Sequence, residues 1–555
     1  MAGLDLAPVP ERFTLKTSRS RSVAAVAAAI AMAAGALAGC SGPSTSAGSS
    51  GASNASAAST LNVYLYQKPK QFSPLEVANG PDQAVMSLVF DSLLGPDANY
   101  KLQPHLAIAQ PTISPDATTF TFKLRPGLKW SDGSPFTSKD VLFTYNLLAN
   151  PASGSASSAN YSVVEGYDAV LAGTAKTLSG FSAPDDNTFV IKTTTPNIGL
   201  LGLAGVVPIL PEHVLGAVPL AQLAKNDFFN NPKVGMGPYE FVTYKTDQYV
   251  ELRANPNYRS KVNIAHIFLK PVTSDVATAQ LGTGEMDVAQ ISATDLPTVK
   301  AMKNMAVVAK DAPGYTRIAW NQSKAEFANP KIRQAFLYAV DRKKIVASVL
   351  GGNGTVPNDS FVGQDLAAGL NDYAYNPAKA KQLLKEGGWN PATTVTLAWI
   401  PGQRDRDTTV TVVQSQLAAV GVKVVLKQMQ AGDLVDSYTT LKFDMVLYGG
   451  GGYAVDPWNV HTILGCQTFY PTGGNIPHFC DKALDQEMFT ANKTTDGPAR
   501  AALYQQAALL ENQQAAYFWL YNPQSVWAHN TRVANFQASG DFTNPFINIS
   551  AWKLG

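Results

Sequence analysis

The chain has 555 residues, 45% of them hydrophobic and 15% charged, with a formal net charge of +2. That composition is globular rather than disordered, and the length suits roughly three or four compact units. The near-neutral balance excludes the clustered excess of Lys and Arg that a nucleic-acid footprint requires. Three cysteines (Cys40, Cys466 and Cys480) without a CxxC pair, and six scattered histidines without an HExxH, give no zinc-site spacing.

Chain order begins with Arg12, Lys16, Arg19 and Arg21, a basic region, followed by an uncharged apolar stretch over residues 23–39. It ends in Leu37-Ala38-Gly39-Cys40, which resembles a bacterial lipobox. Small residues before the cysteine open the backbone to a signal peptidase, and the thiol then carries lipid at the new N-terminus. Each buried CH₂ adds about 0.8 kcal/mol, so more than one acyl chain holds a protein firmly at a bilayer. A transmembrane anchor is the competing reading, but the run is short and rich in Ala, a weak membrane former. Asp5 and Glu11 in the long leading segment leave a downstream start codon open, and Arg19 and Arg21 are not adjacent as a twin-arginine signal needs. Residues 1–39 thus read as a lipoprotein signal peptide. Residues 40–60 read as a lipidated Cys40 and a Ser/Ala/Gly leash that cannot bury a core. Export puts Cys466 and Cys480 in an oxidising compartment, where they are expected to pair. Closing a loop of that size contributes about 3 kcal/mol in the chain-entropy account; two buried free thiols are the alternative.

Beyond the leash, residues 61–67 (LNVYLYQ) and 118–125 (TTFTFKLR) alternate like strands. A turn follows at Ser131-Asp132-Gly133-Ser134, and Thr137 is placed to cap a helix running through residues 141–148. Residues 329–350 carry one amphipathic helix pattern, stopped by Gly351-Gly352, with Asp341-Arg342 read as a local charge pair. Residues 376–389 carry another helix, with Pro377 in its first turn. Strands at 394–400, 422–429 and 443–450 alternate with a helix near 410–420. Strand–helix–strand alternation predicts an open α/β sheet. Gly235 and Gly237 lack the third glycine of a dinucleotide loop.

Residues 122–145 (FKLRPGLKWSDGSPFTSKDVLFTY) closely resemble the hallmark segment of the family 5 extracellular solute-binding proteins of ABC transporters, which include oligopeptide-, dipeptide- and nickel-binding proteins. Further stretches match in family order: PHLA (104–107), ILPEHV (209–214), VGMGPY (234–239), NPNY (255–258), GEMDVA (284–289), IRQAFLYAVDR (332–342) and YNPAKAKQLLKEGGW (375–389). The resemblance spans nearly all of the chain after the leash. It implies an α/β, type II periplasmic-binding-protein fold: two lobes with a hinge, plus an extra subdomain in lobe one. Lobe I would cover 61–312, with the inserted subdomain near residues 80–180. Lobe II would cover 313–516, and residues 517–555 would return to lobe I. The chain would enter lobe II near Pro313 and leave it near Tyr517. Ligand would sit between the lobes at strand ends, and closure would present a surface to the transporter.

The resemblance also implies site residues. Dipeptide-binding relatives hold the ligand carboxylate with an arginine after a lobe II strand; IPGQRDRD (400–407) resembles that segment and places Arg404 there. A guanidinium meets a carboxylate bidentately. Those relatives hold the ligand amine with an aspartate in a later loop, here GGGGYAVDPWN (449–459), and alignment on Asp456-Pro457 puts Tyr453 at that position. Asp456 is the candidate substitute, and otherwise a turn residue. Tyr453 and Trp458 can stack on a ring or sugar face, or pack the cleft wall. Trp399 and Asn321 complete the expected ligand-binding set. No GxSxG, HExxH, P-loop or histidine-linked cysteine points to catalysis. The implied protein is a monomeric binding lipoprotein on the extracytoplasmic side of the cell membrane. Its partners would be a peptide-like ligand and ABC permease subunits, with no cofactor, metal or nucleic acid. The alternatives are a secreted glycoside or peptide hydrolase whose carboxylates meet only in space, a sugar, opine or metal-chelate binder, or a sensor or adhesin on the same fold.

Overall fold

A computed structural model describes residues 59–555 apart from 77–79, 156, 293–294, 313, 362–368, 402, 451–455, 472 and 541–545. The leader, Cys40, Pro313 and Tyr453 lie outside the described residues. The first strand, β1 (Thr60–Leu65), turns Leu61, Val63 and Leu65 inward as its alternation dictates. Helix α1 (Gly80–Val89) follows. Strands β2 (Thr112–Ile113) and β3 (Thr119–Lys123), helix α2 (Ser138–Ala149), and strands β4 (Phe181–Asp185) and β5 (Thr188–Lys192) build a separate antiparallel sheet in the order β2-β3-β5-β4. Thr137 caps α2 as expected: its hydroxyl accepts from Lys139 N–H, while Asp140 reaches back to Thr137 N–H.

Short helix α3 (Leu200–Ala204) leads back to the main sheet, which takes β6 (Tyr239–Lys245), β7 (Tyr249–Ala254), β8 (His266–Pro271), β9 (Val288–Gln290) and β10 (Met305–Asp311). After residues 312–314 the chain enters a second half: β11 (Tyr315–Trp320), helices α4 (Pro330–Ala339) and α5 (Arg342–Val349), β12 (Gly354–Thr355), α6 (Pro377–Glu386), β13 (Thr394–Trp399), α7 (Arg404–Ala419), β14 (Lys423–Gln428), α8 (Ala431–Thr439), β15 (Met445–Gly450), α9 (Lys482–Lys493) and α10 (Gly497–Gln514). Strand β16 (Phe518–Asn530) then crosses both halves. The sheet order is β14-β13-β15-β11-β16-β9-β1-β8-β7-β6, with β10 and β12 also paired to β16. Two hydrophobic cores flank the crossing. One gathers residues from 61 to 288 and from 527 to 552, and the other gathers residues 318 to 521.

The motifs that resemble the family converge on one knot in lobe I. Ser131 and Gly235 exchange backbone and hydroxyl hydrogen bonds. Asn257 donates to the Trp130 and Ser131 carbonyls, Asn255 donates to the Gly237 carbonyl, and Glu212 N–H donates to Asp140. A Cβ on Gly235 would stand 2.0 Å from the Val89 carbonyl oxygen, so this glycine answers a close approach to the end of α1.

Two expectations are corrected. The helix pattern over 329–350 is two helices, α4 and α5, broken at Val340 in extended backbone. Asp341 and Arg342 form no pair: Asp341 caps α5 through Lys344 N–H, while Arg342 turns into the core. There its guanidinium donates to the Pro357, Asp372 and Trp519 carbonyls and to Asn358. Satisfying a buried guanidinium outweighs continuing the helix. The expected disulfide is present between Cys466 and Cys480.

Asp287 in the GEMDVA stretch ties the sheet at the lobe I end of β16. It is 1% exposed, takes Arg532 on both oxygens (2.8 and 2.9 Å) and accepts Asn62 N–H from β1. Removing one partner of such a pair strands the other. Asp287→Ala is therefore expected to lower unfolding stability by about 3 kcal/mol, read as a lower urea midpoint at unchanged slope; a change under about 0.5 kcal/mol would refute the role.

Candidate functional site

Strand direction places the site. β13 runs parallel to β14 and β15, and β11 runs antiparallel to β15, so the C-terminal ends of the first three meet the N-terminal end of β11 along one edge. In lobe I, β1 and β9 run parallel, and Gln290 at the end of β9 pairs with Trp527 of β16. Both edges face the stretch where β16 passes between lobes, which is where an open α/β sheet leaves space for a ligand.

The lobe I wall is made of Tyr64, Tyr66, Pro81, Ala84, Gln290 and Trp527 around a small recess. Burial pushes the Tyr64 phenol up to about 12. On the lobe II edge a cavity of about 560 Å³ opens between Pro401, Lys427, Gln428, Met429, Gln430 and Asp433, at the ends of β13 and β14 and the start of α8.

Between that cavity and the hinge lies the first turn of α7. Asp405 accepts from Tyr521 in β16 (3.2 Å), and Asp407 accepts the Trp399 indole N–H (2.7 Å). These anchors orient the residue between them. Arg406 is half-buried and packs on Gly449, whose Cβ, if present, would stand 2.2 Å from Arg406 Nη2. The Arg406 Nε is buried and has no hydrogen-bond partner among the described residues. Gly450 lets the Tyr315 hydroxyl approach in the same way, at 2.7 Å from such a Cβ.

Below this surface Arg317 of β11 is clamped between the rings of Tyr315 and Tyr517, each 3.9 Å from its guanidinium carbon. Its Nε donates to Tyr448 and its Nη1 to Ser360, which also receives the Trp519 indole N–H. Ser360 in turn donates its N–H and hydroxyl to Glu511 of α10. Burial, with Asp359 nearby, pushes the Glu511 carboxyl up to about 8 despite those donors.

The expected ligand set separates. Trp399 is in the cleft edge, but its indole is committed to Asp407. Arg404 is exposed at the first position of α7, one turn-face away from Arg406. Asp456 caps the turn at Trp458 N–H and is ion-paired to Arg500 (2.8 and 3.0 Å). Trp458 is half-buried and stacks on His461 at 4.3 Å, beside Phe489. Burial pushes the His461 imidazole below its usual range against the pull of Asp485. Asn321 lies away from the cleft, fully buried beyond the other end of β11, where it donates to the Leu441 and Phe443 carbonyls and accepts from Ser323. Arg406 was not in the expected set. The signal was present in Gln403-Arg404-Asp405-Arg406-Asp407, because the aspartates flanking Arg406 are the ones that a helix start can anchor.

A sheet split by one crossing strand, with strand ends from both halves facing the crossing, defines a type II periplasmic-binding-protein fold. The model of the bacterial extracellular solute-binding proteins, family 5 (middle region), matches residues 101–470, and the chain belongs to that family. A putative ABC transporter peptide-binding protein of Brucella ovis is 31% identical over 448 residues, covering 76% of this chain and 80% of the relative. The oligopeptide-binding protein AppA of Bacillus subtilis, solved with a nonapeptide, superposes with a TM-score of 0.75 at 24% identity over 89% of this chain and 99% of that one. NikZ of Campylobacter jejuni, solved with Ni(L-His), gives 0.76 at 24% identity over the same shares.

The Glu511 shift sets a pH dependence. The folded chain holds this proton up to about pH 8, whereas an unfolded Glu releases it near its ordinary value of 4.5. The folded state therefore binds more protons across that window, and stability falls as pH rises through it. Glu511→Gln is expected to flatten the fall between about pH 5 and 8, worth about 3–5 kcal/mol for a shift of this size. Denaturation midpoints of both proteins at pH 5 and 8 check it; parallel curves would refute the assignment.

Proposed function

We propose that the chain is the extracytoplasmic solute-binding component of an ABC importer and takes a carboxylate-bearing, peptide-like solute in the interlobe cleft. The observation that carries this reading is Arg406, a half-buried arginine held between two anchored aspartates, whose buried Nε has no hydrogen-bond partner among the described residues. Arg406 also stands in the first turn of a 16-residue helix, where the macrodipole disfavours a cation. An anionic ligand group relieves both costs at once. The peptide-binding names borne by relatives support the ligand class, and capture with delivery to permease subunits follows from that role. Trp399 and Trp458 supply aromatic wall, Arg404 adds outer positive charge, and Asp456 and Asn321 hold local structure. A free amine would meet Asp456 only by displacing Arg500. This favours a second reading in which the ligand is an acidic solute other than a peptide.

Arg406→Ala is expected to weaken binding of trialanine by about 30- to 100-fold, the cost of a charge-assisted hydrogen bond. Arg404→Ala should change it less than about threefold. Calorimetric titration with trialanine, its C-terminal amide and its N-acetyl form separates the readings. Loss with the amide alone supports a carboxylate anchor at Arg406, loss with the acetyl form alone supports an amine anchor, and no binding of any form moves the ligand outside peptides. Lipid anchoring at Cys40 is tested separately: Cys40→Ala should move the protein from the membrane to the soluble fraction with binding intact, and continued membrane association would refute it.

A further inference from the structure

Away from β16 the lobes meet at a second place. Residues 197–202, which run into α3 in lobe I, lie against residues 456–459 and the end of α9 in lobe II. Asn492 is the centre of this contact and is 4% exposed. Its backbone carbonyl accepts Ile198 N–H (3.0 Å), its Oδ1 accepts Gly199 N–H (2.7 Å), and its Nδ2 donates to Asn197 Oδ1 (2.9 Å). Asn197 Oδ1 also accepts Leu200 N–H at 3.1 Å. Backbone donors therefore fix both amides: the atoms facing Gly199 and Leu200 are oxygens, which leaves Asn492 Nδ2 as the bridging donor.

Two glycines make room for the contact. A Cβ on Gly199 would stand 2.4 Å from ring carbons of Trp458, and one on Gly202 would stand 2.9 Å from Asp456 Cβ. On the lobe II side the opposing surface is rigid. Arg500 holds Asp456, and His461 stacks under Trp458. Leu200 and Ala204 belong to the lobe I core, whereas Trp458 packs on the lobe II core.

We propose that Asn197 and Asn492 form a clasp that holds the cleft shut. Its two halves belong to different cores and no strand joins them, so it is made when the lobes come together and broken when they part. On parting, each exposed N–H and amide exchanges a protein partner for water, which keeps the difference small and the switch reversible. The lobe II half begins at Asp456, the first described residue after the glycine-rich loop, so cleft occupancy and clasp engagement reach the same short segment. The proposal rests on the two-lobed fold and is independent of which solute binds.

The amide assignment supplies a discriminating pair of variants. Asn197→Asp keeps the oxygen that both donors need. Asn492→Asp removes the bridging donor and sets oxygen against oxygen. Spin labels at Lys176→Cys and Lys482→Cys, exposed positions on the two lobes, report the interlobe distance by pulsed electron resonance in the ligand-free full chain. The parent is expected to show a closed population. N492D should reduce the closed-to-open ratio about tenfold, and N197D should leave it within about twofold. Gly199→Ala, which wedges Trp458 away, should behave as N492D does. Thermal unfolding of each variant separates a shifted lobe equilibrium from lost fold, and G199A keeps the test decisive if N492D does not fold. Equal effects of N492D and N197D, or no closed population in the parent, would overturn the clasp.

Discussion

Strand β16 is the constraint on which the rest depends. Its first residues pair with β11 in lobe II, its middle pairs with β12 at Asn522 and Pro523, and its remainder pairs with β10 and β9 in lobe I. One continuous hydrogen-bonded strand thus belongs to two cores. Register on either side cannot slip without turning every inward side chain outward on the other. The passage between the two sets of pairings is short, running from Tyr521 to Gln524. Pro523 lies within that passage, where it contributes no N–H to the ladder. Gln524 further braces the passage to Asp311. A hinge so narrow makes closure close to a rigid-body rotation, and it obliges the binding groups to sit near the axis, where both edges converge.

Buried charge is handled in two ways, and the difference marks where function is expected. Arg333 and Arg342 are buried among backbone carbonyls: Arg333 donates to those of Phe327, Ala328, Gln514 and Ala515. Burial pulls both guanidinium groups down to about 10. Such cages are saturated and serve as internal splints for the loops that they gather. Arg406 is the contrast. Its neighbours Asp405 and Asp407 spend their carboxylates on Tyr521 and Trp399 rather than on it. Arg333 and Arg342 find carbonyl partners on every side, whereas the buried Nε of Arg406 has none among the described residues and stands at the strand ends that form the cleft edge, an arrangement suited to a group that arrives from outside.

The sequence disclosed the architecture more readily than the site. Strand alternation in β1, the Thr137 cap and the lobe I motifs were legible because each is a local pattern with a local physical cause. The break between α4 and α5 was hidden, because what ends α4 is the demand of a buried Arg342 for carbonyls at Pro357, Asp372 and Trp519, none of them local. Asn321 stands among the expected ligand-binding residues, but strand direction shows that it leaves β11 from the end away from the cleft. Arg404 and Arg406 are chemically identical in sequence. They are distinguished by which of the neighbouring aspartates finds a partner across the cleft edge, a tertiary fact. The Asn197–Asn492 contact spans nearly 300 residues of sequence and carries no periodic signal at all.

Ligand capture and closure share a narrow piece of chain. β15 ends at Gly449 and Gly450, against Arg406 and Tyr315, and the chain re-emerges as Asp456-Pro457-Trp458 against Gly199 and Gly202 of lobe I. A ligand that draws Arg406 and the end of β15 into one arrangement therefore limits where Asp456 and Trp458 can stand. The Arg500 pair and the His461 stack limit them from behind. Neither interaction needs to be strong. A binding protein that must release its cargo works with a difference of a few kcal/mol between open and closed, divided between ligand contacts and lobe contacts. Were the lobe contacts much stronger, the empty protein would stay shut and exclude its solute; were they absent, the ligand alone would have to offset the ordering of both walls. A contact built from a few neutral hydrogen bonds and two glycine approaches lies in the range between those limits.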